Sequence, residues 1–221
     1  GSRQTIVVDG KTFSDFETAF TSATNNCVIM VGPGIYPIRA YDWTTQASIA
    51  NTYNRLMGVT NFQLIGFGRA VINQTNRGVG VMFGWVTNVS IECITFKAFK
   101  TNGQMHISQN TLPMSLAFWG TNRHVSIRNC FFDECEGSAI HATSGGNGVG
   151  TESLMRVYDL LVDGCRFRIC GITNWSSGIE GGIMQCHSGT RFVNNFSIGH
   201  SRGVEAFTSL TEPIDDVLIA N

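Results

Sequence analysis

Three residues of this 221-residue chain are candidates for catalysis: Glu205, His141 and Glu180. A carboxyl group or an imidazole can donate or accept a proton near neutral pH when its surroundings adjust its pKa. Glu205 lies in the largely apolar segment "GVEAF" (203–207), in a chain with only 14% charged residues. The residues predict proton-transfer chemistry, provided that the fold brings them together.

Aromatic and polar residues near these candidates suit a sugar ligand. An aromatic ring stacks on the apolar face of a sugar, and amide, imidazole and guanidinium groups hydrogen-bond to its hydroxyls. For Trp175, in a loop, a purely structural role is equally open. The predicted substrate-binding residues are Gln185, His187, Trp119, Phe207, Trp175 and Arg202.

An internal repeat must position these residues, because one strand–turn–strand pattern recurs along the chain. "VSIRNCFFDEC" (125–135) and "LLVDGCRFRIC" (160–170) agree cysteine for cysteine. The apolar position before the turn is filled in turn by Leu64, Ile91, Ile127, Val162, Val193 and Ile219. Two residues later come mostly types that tolerate a left-handed backbone, namely Gly66, Cys93, Asn129, Gly164, Asn195 and Asn221.

Each pattern continues into a second short strand and, after a Gly or Ser, into a third. Three strands per repeat indicate one coil of a parallel β-helix. We therefore predict an all-β solenoid in which equivalent residues of successive coils stack about 4.8 Å apart.

Alternation along the third strand places the candidate residues on its outer face. If Ile140 points inward, His141, Gln185 and Glu205 lie outward in one column, with about 9–10 Å between His141 and Glu205. A second outward column contains Trp119, Thr143, His187 and Phe207. Three long connections flank this sheet and are expected to wall it into a groove: 100–113, 143–156 and 171–181.

The repeat also brings cysteines of neighbouring coils together, Cys130 beside Cys165 and Cys135 beside Cys170. Flat in-register strands favour small, buried, reduced side chains, which is the common state of free cysteine. A disulfide between coils is the alternative, because adjacent columns fall within the permitted Cα separation.

An amphipathic helix is predicted within residues 12–26. Ser14 and Glu17 form a capping box, and the aromatic residues Phe13, Phe16 and Phe20 recur at helical spacing. Such a helix can cover the otherwise open edge of the first coil.

We divide this single continuous domain into residues 1–58, with the capping helix and first coil, and residues 59–221, with the remaining coils. The last coil is incomplete at Asn221. The sequence therefore predicts a fragment of a longer protein, or a chain whose remainder packs elsewhere.

The capping helix, "VIMVGPGIYPI" (28–38) and "NFQLIGFG" (61–68) resemble the start of right-handed parallel β-helix proteins of the pectate lyase superfamily. The coil repeats extend the resemblance over essentially the whole chain, and bacteriophage tailspike or appendage proteins are the most similar members. The superfamily also includes polysaccharide lyases, hydrolases and sugar epimerases, and several members have no known catalysis. The resemblance implies a polysaccharide ligand without naming a reaction.

Two catalytic patterns of the superfamily are not matched. Of the motifs typical of polygalacturonase-like hydrolases, the chain offers only "GHS" (199–201) and "IDD" (214–216). The spaced acidic residues that hold calcium in pectate lyases are also missing, so no metal and no other cofactor is expected.

If the protein is an enzyme, it is expected to be a glycoside hydrolase or a polysaccharide lyase. Hydrolysis with inversion needs two carboxyl groups about 6.5–9.5 Å apart. Glu205 would supply one, and the second would come from Glu180, Glu152 or Asp215. Elimination needs a base and a cation that neutralises the sugar carboxylate. The candidates for these roles are His141 or His187 and Arg202 or Arg156.

The leading hypothesis is a polysaccharide-binding and polysaccharide-degrading β-helix, such as a phage tailspike domain that acts on bacterial surface glycan. It implies an extracellular or virion-surface location, and a homotrimer only if chain beyond Asn221 supplies the contacts. The alternatives are a non-catalytic structural or adhesin shaft and a secreted bacterial lyase or epimerase. With a formal net charge of −1 and no basic stripe, no nucleic-acid partner is expected, and no apolar run is long enough for membrane insertion.

Overall fold

The computed structural model describes residues 2–10, 16–40, 54–76, 78–98, 114–135, 137–142, 156–170, 184–186, 189–199, 203–206 and 216–220. Within these ranges the chain forms one short helix, α1 (Phe16–Thr21), and twenty strands in three sheets. No helix there is long and apolar enough to span a membrane.

The three sheets run along the molecule, and each coil contributes one strand to each of them. Sheet 1 contains β1 (Gln4–Val8), β2 (Cys27–Val31), β5 (Thr60–Gly66), β8 (Thr87–Glu92), β11 (Thr121–Arg128), β14 (Arg156–Asp163), β17 (Arg191–Val193) and β20 (Leu218–Ala220). Sheet 2 contains β3 (Gly34–Ile38), β6 (Ala70–Gln74), β9 (Thr95–Lys97), β12 (Phe131–Asp133), β15 (Arg166–Arg168) and β18 (Phe196–Ile198). Sheet 3 contains β4 (Arg55–Met57), β7 (Val79–Gly84), β10 (Met114–Trp119), β13 (Ser138–His141), β16 (Met184–Cys186) and β19 (Val204–Ala206).

Neighbouring strands in each sheet come from consecutive coils and pair in parallel, as β5, β8 and β11 do in sheet 1. The predicted right-handed parallel β-helix with three strands per coil is confirmed. Strand β1 was not predicted, and it extends sheet 1 beyond β2.

Like side chains stack on like along the interior because the pairing is in register. Phe96, Phe132 and Phe167 occupy one column, with ring centroids 5.2 and 5.0 Å apart. Phe83 and Phe118 stack in the same way on sheet 3, at 5.5 Å. These columns form a continuous apolar core along the axis of the coils.

One element of the predicted repeat is wrong by a single residue. Val162 pairs with Phe192 rather than with Val193, so the corner position equivalent to Gly164 is Asn194. Asn194 has the left-handed backbone of this corner, with φ at 54°. Asn195 lies one position further, buried inside the coil.

The buried column next to this corner contains Cys130, Cys165 and Asn195, and its members hydrogen-bond to the preceding coil. The thiols of Cys130 and Cys165 donate to the carbonyls of Ile91 and Ile127, at 3.7 and 3.6 Å. Asn195 donates to the equivalent carbonyl of Val162, at 2.9 Å, and also accepts from the Cys165 amide. The described cysteines are free, so the interpretation as stacked reduced side chains agrees with the structure.

Left-handed residues also form columns, because each coil turns at the same positions. One column crosses sheet 1 near its start and contains Asn26, Asn61, Asn88, His124, Asp159, Gly189 and Asp216. Three further columns lie at the ends of the sheets. The column after sheet 1 contains Cys93, Asn129, Gly164 and Asn194, and the column after sheet 2 contains Glu134, Ile169 and Gly199. The column after sheet 3 contains Gly58, Trp85 and Gly120.

Helix α1 covers the first coils, as predicted. Phe16 and Phe20 are fully buried, and the Phe20 ring meets the edges of Phe62 and Phe83 at 5.9 and 5.5 Å. Glu17 forms an ion pair with Arg39, 2.6 Å away. The predicted capping-box partner, Ser14, and Phe13 lie outside the described residues.

Replacing Ile169 by glycine is expected to stabilise the protein. Ile169 has φ at 55°, which is unfavourable for a β-branched residue, and its side chain is partly exposed. Relief of that strain predicts a gain of about 1 kcal/mol in the free energy of unfolding and a Tm higher by about 2–4 °C. Asn129→Gly is the matched control, because asparagine already tolerates this backbone; an equal or larger gain there would contradict the assignment of strain to Ile169.

Thiol labelling should distinguish the cysteine columns from the exposed corner. Cys93 is exposed, whereas burial raises the pKa of the Cys130 and Cys135 thiols well above the usual value. In native protein at pH 8, iodoacetamide should modify Cys93 at least about 100-fold faster than Cys130 or Cys135. Peptide mass spectrometry after the reaction measures this, and a Cys130–Cys165 crosslink in the same spectra would contradict the free-thiol columns.

Candidate active site

The register of sheet 3 brings three of the predicted site residues into one row. His141 pairs with Gln185 across β13 and β16, and Gln185 pairs with Glu205 across β16 and β19. Neighbouring parallel strands lie about 4.8 Å apart, so the backbones at His141 and Glu205 are about 10 Å apart. We call His141, Gln185 and Glu205 the outer column.

His141 points away from the coil interior. Its neighbours Ile140 and Ala142 are both part of the buried core, and alternation along the strand turns His141 to the opposite face. The side chain is half-buried, with Nδ1 shielded from solvent. A partly buried imidazole in this position can exchange a proton with a ligand on the face.

The outer column continues towards the N-terminus with apolar residues. Ala117 pairs with His141, and Met82 pairs with Ala117. Both are almost fully buried and, with Val79, form a small apolar cluster separate from the core. The face is therefore covered at Met82 and Ala117, so the strands of the first coils do not form an exposed groove floor there.

Trp119 packs on the same outer cluster and is partly exposed. Trp119 pairs with Gly84. The thioether of Met57 lies against Gly84, and a Cβ added to Gly84 would be only 2.5 Å from the Met57 sulfur. The structure thus places Trp119, an aromatic residue of the second predicted column, on this face.

Trp85 was not singled out by the sequence. It occupies the corner after sheet 3, with φ at 51°, and half of the residue is exposed. Its backbone amide donates to the Trp119 carbonyl at 3.1 Å. The only sequence signal was a large aromatic residue between two strand patterns, in "FGWVT" (83–87).

A buried amide, Asn122, fixes this corner. Its side-chain nitrogen donates to the carbonyls of Trp119 and Gly120, at 3.1 and 3.0 Å, and to that of Arg156 at 3.3 Å. Its oxygen accepts from the Val86 amide at 3.0 Å. One side chain thereby connects the corners of three successive coils.

The remaining predicted site residues lie outside the described residues, so their roles stay predictions. They are Glu180, His187, Phe207, Trp175 and Arg202, together with Thr143, Glu152, Asp215 and the three long connections apart from Arg156. In the part of the chain that is described, no group of three His, Cys, Asp or Glu side chains could hold a metal ion.

A second, polar cleft of about 310 Å³ lies on sheet 1. Its wall is a row of hydrogen-bonded amides, in which Asn88 donates to Asn61 at 2.7 Å and Asn61 donates to Asn26 at 2.9 Å. Arg3 donates to Gln63 across the same cleft. These amides hydrogen-bond to one another along the left-handed column, so a structural role explains the row.

Comparison with solved structures places this geometry among known folds. A provisional glycosyl hydrolase from Parabacteroides merdae ATCC 43184 has a TM-score of 0.52 and 10% identity, covering 96% of this chain and 99% of that one. The chain has a parallel β-helix fold.

Other β-helix neighbours are more distant. An alginate lyase from Paenibacillus sp. str. FPU-7 has a TM-score of 0.48 and 13% identity, covering 92% of this chain and 74% of that one. A pectin methylesterase bound to a hexasaccharide has a TM-score of 0.43 and 14% identity, covering 89% and 67%. No protein-family model matches the sequence, and no curated protein matches it significantly.

Removing the Asn122 amide is expected to destabilise the site and the fold together. Asn122→Ala leaves the buried Val86 amide without its acceptor and removes donors to three carbonyls, at a cost of about 3 kcal/mol. Urea unfolding monitored by circular dichroism measures the change. Asn73→Ala, at a half-buried amide of β6, is the control and should cost less than about 1 kcal/mol; equal losses would show that the Asn122 hydrogen bonds contribute little.

Proposed function

We propose that the protein binds polysaccharide along the outer face of sheet 3 and cleaves it there. The observation that carries the proposal is the outer column, in which a histidine, an amide and a glutamate follow one another at a single strand spacing. A row of polar groups one coil apart presents repeated hydrogen-bonding positions to a repeating polymer. The partly exposed aromatic residue Trp119 lies beside this row.

In this proposal, Glu205 and His141 are the proton-transfer groups. For hydrolysis, Glu205 protonates the glycosidic oxygen as the bond to the anomeric carbon breaks, while a second carboxylate deprotonates the attacking water. Glu180 is our candidate for that carboxylate, on sequence grounds alone.

For elimination, His141 removes the proton next to the sugar carboxylate and the glycosidic oxygen leaves, which creates a carbon–carbon double bond. Glu205 then protonates the departing oxygen. Arg202 is our candidate for the neutralising cation, again on sequence grounds alone. The products distinguish the two reactions, because elimination yields an unsaturated sugar that absorbs in the ultraviolet.

The finer part of the proposal is a phage tailspike or similar receptor-binding appendage that acts on bacterial surface glycan, outside the cell or on a virion. It is supported by the sequence resemblance, and it implies a homotrimer only if chain beyond Asn221 supplies the contacts. Sedimentation measures the oligomeric state, and a monomer formed by a chain that extends beyond Asn221 would contradict the trimer without affecting the polysaccharide proposal.

The test of binding and cleavage uses three polymers: pectin and alginate, after which two of the fold neighbours are named, and bacterial capsular polysaccharide. Retarded migration in gels that contain the polymer reports binding. New reducing ends without ultraviolet absorbance report hydrolysis, and both signals together report elimination. Binding without either signal would indicate a non-catalytic adhesin, and the absence of binding to all three polymers would contradict the proposal.

Glu205→Gln is expected to lower the cleavage rate at least about 100-fold while polymer binding stays within about twofold, because the amide keeps the size but cannot transfer the proton. The rate is measured as reducing ends formed per minute. Glu92→Gln, on the outer face of β8 in sheet 1, is the matched control and should cleave normally. An unchanged rate in Glu205→Gln would remove this residue from the mechanism.

A further inference from the structure

Trp85 is exposed in a way that packing does not explain. Its indole lies against the backbone of Gly120 in the next coil, because a Cβ added to Gly120 would overlap the ring atoms Cε2 and Nε1. One side of the indole is therefore covered, yet half of the residue remains exposed. A large aromatic surface held against backbone and open to solvent is the geometry of a stacking platform.

The backbone conformation of Trp85 is also energetically unfavourable. Gly58 and Gly120 occupy the same corner in the neighbouring coils, and both are glycines with positive φ. Trp85 adopts the same left-handed backbone at a cost of about 1–3 kcal/mol. A glycine would fit the corner without strain, so the fold itself does not require tryptophan here.

The backbone that carries the indole is also held in place. The Trp85 amide donates to the Trp119 carbonyl, and Asn122 hydrogen-bonds to the backbone of Trp119, Gly120 and Val86. Because the corner is fixed before any ligand arrives, stacking on the ring would cost little conformational entropy.

Trp85 lies on the same side of the molecule as the outer column. It follows β7, and β7, β10 and β13 are consecutive strands of sheet 3, so His141 is two strand spacings away, about 10 Å along the axis. Trp85 also lies three residues beyond Met82, which is in line with His141, so the offset along the strand is about 10 Å. A polymer that spans both positions needs several sugar units.

We propose that Trp85 stacks on a pyranose ring of the bound polysaccharide and forms a subsite remote from His141 and Glu205. This inference rests on the proposed function and adds a position at which the chain holds its substrate. Trp85 takes part in binding and not in the chemical step. Its contribution therefore grows with the length of the ligand, because a short oligosaccharide at the outer column does not reach it.

The experiment compares Trp85→Ala, Gly120→Ala and Trp85→Phe in gels containing pectin, alginate or capsular polysaccharide. Trp85→Ala should weaken the retardation about tenfold, measured as the polymer concentration that halves mobility. Gly120→Ala should weaken it similarly, because the added methyl displaces the indole without removing it. Trp85→Phe should retain most of the wild-type binding, because the phenyl ring can still stack on the sugar. A role confined to the fold would not predict this result.

Phe67→Ala is the matched control, because Phe67 is also exposed, at 44%, and lies after sheet 1 rather than after sheet 3. Circular dichroism confirms that each variant is folded before binding is measured. If wild-type protein binds a polymer and folded Trp85→Ala binds equally well, the subsite is wrong while the proposed function stands. If wild-type protein binds none of the three polymers, both are overturned.

Discussion

The in-register parallel pairing between coils is the constraint on which the rest of the structure depends. Each residue of a strand lies beside the equivalent residue of the next coil, so each side chain packs against the side chain at the same position in that coil. The column of Phe96, Phe132 and Phe167 shows the benefit, because flat rings stack with almost parallel planes. The same rule applies to polar groups, which must find partners along the axis. Asn195 and Cys165 do so by donating to equivalent carbonyls of the preceding coil.

The corners meet this constraint with left-handed residues and with side chains that satisfy the freed backbone groups. At a corner, some backbone groups leave the hydrogen-bond ladder of the sheet, and those that are buried need other partners. Asn122 supplies four such partners at the corner after sheet 3. Thiols take part at the corner after sheet 1, which explains why cysteines recur there without forming disulfides. A cysteine column in this fold is a row of weak donors as much as a row of small apolar side chains.

The sequence predicted the fold and the outer column because both follow from periodicity. Ile140 and Ala142 are apolar residues of the core on either side of His141, so His141 could be assigned to the outer face before the register was known. The corner at Asn194 was misplaced by one residue, because two adjacent asparagines fit the pattern equally well and only the pairing of Phe192 decides between them. Trp85 was missed for a related reason. Its exposure depends on a left-handed corner and on contact with Gly120, which is distant in sequence, and neither leaves a periodic signal.

The strand spacing also limits which chemistry the outer face can support. Groups in one column are separated at the backbone by multiples of about 4.8 Å, so carboxyl groups on adjacent coils approach the 5–5.5 Å typical of retaining hydrolases, and those two coils apart approach the upper end of the inverting range. The outer column contains a single carboxyl group, Glu205, with an amide one coil away and an imidazole two coils away. In the proposed mechanism, hydrolysis on this face therefore needs a second carboxyl group from outside the column. Elimination would take its base and its acid from His141 and Glu205, and it needs a cation from outside the column to neutralise the sugar carboxylate. Either reaction thus depends on one group that the column does not contain.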